Sequence, residues 1–207
     1  MRWTVFLLIG LLGCAHRGIE PLPREAVAHR AKTNDGWEIS LVQYRPVGLA
    51  PSKGLPLLLC HGITANDRNM DLDQDHSLAR WFASQGRETW PMSLRGSGLS
   101  DRIDAAAGRW PGYDLDTHWR EHLSAAIAYV RKTSASEQID FVGHSMGGLL
   151  VYAYLSQGGT GLNAVVTLGS PTRLDWGGPF ERATTRLANA IVTKSANLPL
   201  VALSQLG

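Results

Sequence analysis

The 207-residue sequence predicts an α/β fold in which a mostly parallel sheet is flanked by helices. Short, continuous apolar runs that end in glycine, such as residues 55–62, are typical of strands buried on both faces. Segments with apolar residues at helical spacing lie between these runs. Strands that alternate with helices pair in parallel, because each helix returns the chain to the edge from which the next strand starts.

Composition supports one globular domain with a substantial core, since 44% of the residues are hydrophobic and 18% are charged. The net charge is +2, and the basic residues are scattered rather than gathered in runs. We therefore predict no nucleic-acid partner. The sequence gives no indication of the oligomeric state.

The N-terminal residues have the composition of an export signal. Residues 1–13 contain one arginine and then a stretch that is apolar from Val5 to Leu12, too short to span a bilayer. Together with Cys14, this ending resembles a bacterial lipoprotein box, in which the cysteine is diacylated and becomes the mature N-terminus. The resemblance implies a lipoprotein of the bacterial cell envelope, held on a membrane by its N-terminal lipid. Residues 14–25 are then a tether.

The domain from residue 26 onward is expected to begin with antiparallel strands. Residues 26–46 form two extended segments around Asn34-Asp35-Gly36, which is a strong hairpin signal. After the buried strand at 55–62, residues 77–86 predict a helix with Leu78, Trp81 and Phe82 on one face.

The alternation continues through the middle of the chain. Residues 88–98 predict a strand that contains Pro91, where we expect a bulge or an early end because proline cannot donate to a central ladder. Residues 116–133 predict an amphipathic helix. Residues 138–159 predict a strand, a sharp turn and a helix, and residues 162–171 predict another buried strand.

The sharp turn carries a motif for nucleophilic catalysis. Gly143-His144-Ser145-Met146-Gly147 fits the pattern Gly-x-Ser-x-Gly. A hydroxyl needs a base to take its proton and fixed donors to hold the oxyanion that forms on attack. A tight strand-to-helix turn raises the Ser145 hydroxyl clear of the sheet, and Gly143 and Gly147 leave room for that turn. The N–H of Met146 begins the helix and faces the developing negative charge.

A second oxyanion donor is expected in the loop after the strand at 55–60. The sequence there is His61-Gly62-Ile63. Because glycine leaves the backbone free to turn, Gly62 would let the N–H of Ile63 face the serine.

His61-Gly62, the turn Arg95-Gly96-Ser97-Gly98 and the elbow around Ser145 follow one another in this order. In this combination the sequence resembles the α/β-hydrolase superfamily, and more closely its bacterial lipases and esterases, over about residues 36–171. The resemblance implies a serine hydrolase of carboxylic esters without a cofactor, acting on lipids or other hydrophobic acyl esters. It gives His61 a structural role in the loop. Thioesterases, amidases and haloperoxidases share this serine apparatus, and the sequence does not separate them.

The rest of the resemblance is incomplete. Ser93 stands where many members of the superfamily carry an aspartate. Members also carry an acid and then a histidine after the nucleophile, but this sequence has Asp175 and Glu181 and no histidine after Ser145. Asp175 is the candidate acid, although members place that residue one strand later. His144 is excluded as the base, because neighbouring side chains on a strand point to opposite sides.

These departures predict an incomplete domain. We expect residues 26–207 to form an α/β-hydrolase core that lacks its C-terminal strands. The strand at 164–168 would then lie at an exposed edge, and turnover would be impaired because no histidine serves Ser145.

Two other functions are compatible with the sequence. A catalytically impaired chain could act only as a lipid-anchored binding protein. His118 to His122 also matches His-x-x-Glu-His, a zinc-hydrolase motif in which Glu121 would be the base. Helical spacing places both histidines at the boundary with solvent, and no third ligand is evident. We therefore predict no metal site.

Overall fold

A computed structural model describes residues 26–46, 52–102 and 114–172, and within these ranges one six-stranded sheet organises the chain. The strands are β1 (Ala26–Lys32), β2 (Glu38–Tyr44), β3 (Leu57–Cys60), β4 (Thr89–Ser93), β5 (Ile139–His144) and β6 (Leu162–Leu168), in the spatial order β1-β2-β4-β3-β5-β6. The strands β4, β3, β5 and β6 are parallel, whereas β1 and β2 pair antiparallel. The predicted α/β fold with a mostly parallel sheet is confirmed.

Helices connect the parallel strands. They are α1 (Leu78–Ser84), α2 (Leu115–Thr117), α3 (Ser124–Thr133) and α4 (Met146–Ser156), with a π-helical turn (His118–Leu123) between α2 and α3 and a 3₁₀ turn at Asp67–Met70. The sequence predicted one regular helix over 116–133, and the π-helical turn interrupts it. No helix in the described ranges has the length and hydrophobicity that crossing a bilayer requires.

Hydrophobic clusters cover both faces of the sheet. Leu58 and Cys60 of β3 belong to the cluster that includes residues of α3 and α4, whereas Leu57 and Leu59 belong to the cluster that includes residues of α1. Successive residues of a strand face opposite sides, so an unbroken apolar run is what a strand between two helical layers requires. The side of α1 turned to the sheet carries Ala79 and Ala83, while Trp81 is exposed.

Pro91 lies in the middle of β4 without a bulge. It pairs in regular parallel register with Leu59, and β4 continues to Ser93. On its other side, β4 pairs with β2 in a single register, and the ladder has a gap where Pro91 would be paired. The expected bulge or early end is therefore wrong: the gap in the β2 ladder accommodates the missing N–H of proline.

Strand β6 pairs with β5, and no strand beyond it lies in the described ranges. Val166 and Leu168 are 53% and 43% exposed, so the prediction of a fully buried strand is wrong for these residues. The prediction that this segment lies at a sheet edge holds within the described residues.

Candidate active site

The strand-to-helix turn at Ser145 has the geometry that its glycines require. β5 ends at His144, α4 begins at Met146, and Ser145 between them has φ 50° and ψ −112°. A non-glycine residue in this region is strained and persists only where its surroundings fix it. The half-buried Ser145 side chain makes no capping hydrogen bond to the helix that follows.

Close backbone contacts hold this strained turn in place. A Cβ at Gly143 would lie 2.6 Å from the carbonyl carbon of Gly147, and a Cβ at Gly147 would lie 2.5 Å from the carbonyl oxygen of Cys60. The Ser145 N–H donates to the carbonyl oxygen of Leu168 at 2.9 Å, which ties the turn to β6. Both glycines are therefore needed so that α4 can begin directly above β3 and β5.

The loop after β3 runs directly beside Ser145. A Cβ at Gly62 would lie 3.1 Å from Cβ of Ser145 and 3.2 Å from Nδ1 of His144. Ile63 presents its side chain outward, 67% exposed, and Thr64 has the positive φ of 57°. Met146 follows Ser145 directly and is the first residue of α4, where backbone N–H groups have no acceptor within the helix. The segments that carry both predicted oxyanion donors thus adjoin the serine.

His61 fastens the same loop to the turn after β4. Its Nε2 accepts from the N–H of Leu94 at 3.1 Å, so the ring proton is on Nδ1, which lies 2.7 Å from the carbonyl oxygen of Gly62. Burial lowers the pKa of His61, which keeps this neutral tautomer. Both nitrogens are engaged, so His61 holds the loop and is not available to take a proton from Ser145.

The fold agrees with known proteins. The family of the alpha/beta hydrolase fold matches residues 56–193. The chain belongs to this family. Triacylglycerol lipase 1 of Arabidopsis thaliana is 30% identical over 147 residues, which are 67% of this chain and 36% of the plant protein. The chain therefore spans only 36% of the length of this relative.

Solved structures of other members share the fold at low identity. An esterase from Exiguobacterium antarcticum has a TM-score of 0.57 at 18% identity, covering 82% of this chain and 58% of the esterase. An epoxide hydrolase from Vigna radiata has a TM-score of 0.52 at 18% identity, covering 74% of this chain and 43% of the plant enzyme. Because an esterase and an epoxide hydrolase match about equally well, the likeness concerns the fold alone.

In this α/β hydrolase, Ser93 at the end of β4 takes the place of an aspartate that many members carry, and a carboxylate from the loop after β3 lies against it. Ser93 Oγ donates to Oδ1 of Asp67 at 2.5 Å and accepts from the N–H of Asp67 at 3.0 Å. A Cβ at Gly98 would lie 2.7 Å from the same Oδ1, so the turn after β4 packs onto this pair. No local signal in the sequence indicates this long-range pair.

His144 has a partner that the sequence did not indicate either. Its Nδ1 lies 3.0 Å from Oδ1 of Asn69, which belongs to the 3₁₀ turn after β3. Nδ1 therefore donates to the amide oxygen. His144 supports the loop that lies beside Ser145. Of the other predicted residues, Cys14 and Asp175 lie outside the described residues.

The two histidines of the zinc-like motif are buried, not at the boundary with solvent. His118 is 7% exposed and His122 is fully buried, and their Nδ1 atoms lie 2.8 Å apart. The prediction of their exposure is wrong because the π-helical turn changes the angular spacing on which it was based. Within the described ranges, no three His, Cys, Asp or Glu side chains are grouped as metal ligands.

Burial keeps this histidine pair neutral. The pKa of His118 is lowered to about 4 and that of His122 to about 3, mainly because their charged forms would lose solvation. The positive charge of Arg95 lowers both further, whereas Asp35 raises the pKa of His122 and is itself paired with Arg95. One imidazole donates from Nδ1 and the other accepts, an arrangement that two imidazolium ions cannot form.

We expect acid to destabilise the protein through this pair. In the unfolded chain a histidine has a pKa near 6.5. Below that pH the unfolded state therefore binds protons at these histidines, whereas the folded pair stays neutral. Stability from the pair is fully present above about pH 6.5 and is lost as the pH falls toward 4, by up to about 1.4 kcal/mol per histidine per pH unit. Urea unfolding between pH 4 and 7 measures this slope.

The His122→Phe variant should have a shallower slope than the wild type. Trp81→Phe serves as the control, because Trp81 is 55% exposed and the substitution changes no titratable group, so it should leave the slope unchanged. Equal slopes in the wild type and the His122→Phe variant would contradict the assignment to the pair.

Proposed function

We propose that this chain is a serine hydrolase of carboxylic esters in which Ser145 is the nucleophile. The single observation that carries the proposal is the strained backbone of Ser145 between β5 and α4, with the Gly62 loop directly against its side chain. Strain at a serine, enforced by surrounding glycines, is typical of a nucleophile elbow. The likeness to a triacylglycerol lipase favours hydrophobic acyl esters, lipids among them, as substrates.

The proposed reaction proceeds by acyl transfer. Ser145 Oγ loses its proton to a base and bonds to the acyl carbon, while the carbonyl oxygen becomes an oxyanion held by the amides of Ile63 and Met146. When the carbonyl re-forms, the bond to the alcohol breaks and the alcohol leaves with a proton. Water then repeats the attack on the acyl-serine and releases the acid. The closeness of the Gly62 loop to Ser145 and the start of α4 at Met146 support this route.

The two histidines nearest Ser145 in sequence and in the loop beside it have other hydrogen-bond partners. In the described ranges His61 is engaged at both ring nitrogens, and His144 donates from Nδ1 to Asn69. These observations favour a second candidate function, that of a lipid-anchored binding protein with impaired catalysis, and the assay below decides between the two.

We also propose that Cys14 carries a lipid that holds the protein on a bacterial membrane. The short apolar segment before Cys14 supports this proposal, because it has the length of an export signal. A lipid anchor would bring an ester hydrolase next to hydrophobic substrates.

One experiment tests both proposals. The full chain is produced in a bacterium with its own N-terminus, and hydrolysis of p-nitrophenyl acetate, butyrate and laurate is measured in membrane and soluble fractions. We expect hydrolysis in the membrane fraction, with the longer acyl chains preferred, and its transfer to the soluble fraction in the Cys14→Ser variant. No hydrolysis in either fraction would favour the binding protein, and activity that is soluble in the wild type would contradict the anchor.

A further inference from the structure

Three polar contacts fasten the loop after β3 to the neighbouring strand ends. We define this loop as residues 62–69. The His61 ring joins its first residue to Leu94, and the Ser93–Asp67 pair joins its centre to the end of β4. The Asn69–His144 hydrogen bond joins its last residue to the end of β5. This last contact therefore links the loop to the last residue before Ser145.

The loop needs restraint from outside because its own conformation is unfavourable. Thr64 has a φ of 57°, in the left-handed region that β-branched residues rarely adopt. Ile63, beside it, exposes 67% of its side chain and so contributes little packing that could hold the loop down. A strained, weakly packed segment keeps its conformation only where the surrounding structure over-determines it. Polar contacts at both ends supply that restraint.

The Asn69 contact acts at the place where the loop meets the nucleophile. A Cβ at Gly62 would touch both Cβ of Ser145 and Nδ1 of His144, at 3.1 and 3.2 Å. The His144 ring therefore lies between the two ends of the loop, beside Gly62 and bonded to Asn69. If the ring loses its acceptor, the loop can move away from Ser145 by a fraction of an ångström without any change in the sheet.

We propose that Asn69 is a positioning residue, which holds the loop 62–69 against the elbow by accepting a hydrogen bond from His144. The proposal rests on the proposed function for its catalytic consequence, since the Ile63 amide stays within reach of the oxyanion only while the loop stays in place. Asn69 itself has no role in the chemical steps, and it acts through His144.

The test uses the full chain and two measurements. Hydrogen exchange of the amides in 62–69 reports the position of the loop, and the rate of labelling by a fluorophosphonate probe reports the reactivity of Ser145. The Asn69→Leu variant keeps the size of the side chain and removes the acceptor, whereas Asn69→Asp keeps an acceptor. Asn163→Leu is the matched control, because it makes the same chemical change at the start of β6. It removes the hydrogen bond that Asn163 donates to Asp140 of β5.

In Asn69→Leu we expect faster hydrogen exchange at the amides of 62–69 and a labelling rate about tenfold lower than in the wild type. In Asn69→Asp both rates should stay within about twofold of the wild-type values. Asn163→Leu should change neither measurement. In a His144→Phe background, Asn69→Leu should have no further effect, because the donor is already absent.

Unchanged exchange in Asn69→Leu would overturn the proposal, as would an equal effect of Asn69→Leu with and without His144. Faster exchange in Asn69→Leu together with no labelling of the wild type would support the positioning role and contradict the proposed function instead.

Discussion

Replacing Ser145 by alanine is expected to remove labelling by a fluorophosphonate probe and to lower ester hydrolysis by at least about a thousandfold. The reason is geometric. Ser145 stands at the strained turn, its hydroxyl makes no capping hydrogen bond to α4, and the Gly62 loop lies against its side chain. Loss of the nucleophile removes the acyl-enzyme route, so only the background reaction remains. Labelling is read from fluorescence of the purified chain after a fixed time.

Ser170→Ala is the matched control for this experiment. The Ser170 hydroxyl also lies near the elbow, since a Cβ at Gly148 would come within 2.0 Å of its Oγ. We expect this variant to be labelled as the wild type is. Labelling that persists in Ser145→Ala and disappears in Ser170→Ala would mean that the wrong serine was assigned. A wild-type chain that resists the probe would favour the binding-protein function.

Replacing Gly147 by alanine is expected to destabilise the fold by about 3 kcal/mol or more, because the new methyl group meets backbone that cannot move aside. The Cβ would lie 2.5 Å from the Cys60 carbonyl oxygen and 2.9 Å from that of His61. Cys60 is the last residue of β3, which pairs with β4 on one side and β5 on the other, and His61 follows it directly. Relief therefore requires α4 to move away from the centre of the sheet. The midpoint of urea unfolding measures the loss.

Ser156→Ala in the same helix provides the comparison. Ser156 is exposed at the last residue of α4, and this substitution should change stability by less than about 0.5 kcal/mol. Similar unfolding midpoints for Gly147→Ala and the wild type would contradict the tight approach of α4 to β3, on which the elbow geometry depends.

The features that could be predicted from the sequence are those with a local physical cause. The hairpin follows from Asn34-Asp35-Gly36, and Gly36 has the φ of 86° that the turn requires. The run Leu57–Cys60 predicts a strand buried on both faces. The spacing of Gly143 and Gly147 around Ser145 predicts a strand, a tight turn and a helix, because that turn excludes side chains at both positions.

The features that could not be predicted depend on distant parts of the chain. The Asn69–His144 and Ser93–Asp67 pairs join residues 75 and 26 positions apart, and neither has a local signature. The burial of His118 and His122 was missed because helical periodicity assumes a regular α-helix, whereas a π-helical turn shifts these side chains inward. The sequence predicts that Pro91 disturbs β4, but the strand stays regular because the ladder between β4 and β2 has a gap at Pro91, where the proline lacks an N–H.

The central claim is that Ser145 Oγ stands between two backbone amides that hold an oxyanion. A crystal structure of the chain after reaction with the fluorophosphonate probe tests it most directly, because the phosphoryl oxygen of the adduct occupies the place of the oxyanion. We expect phosphorus bonded to Ser145 Oγ, with the phosphoryl oxygen about 2.7 to 3.1 Å from the amide nitrogens of both Ile63 and Met146. An adduct on another residue, or a phosphoryl oxygen remote from both amides, would contradict the account.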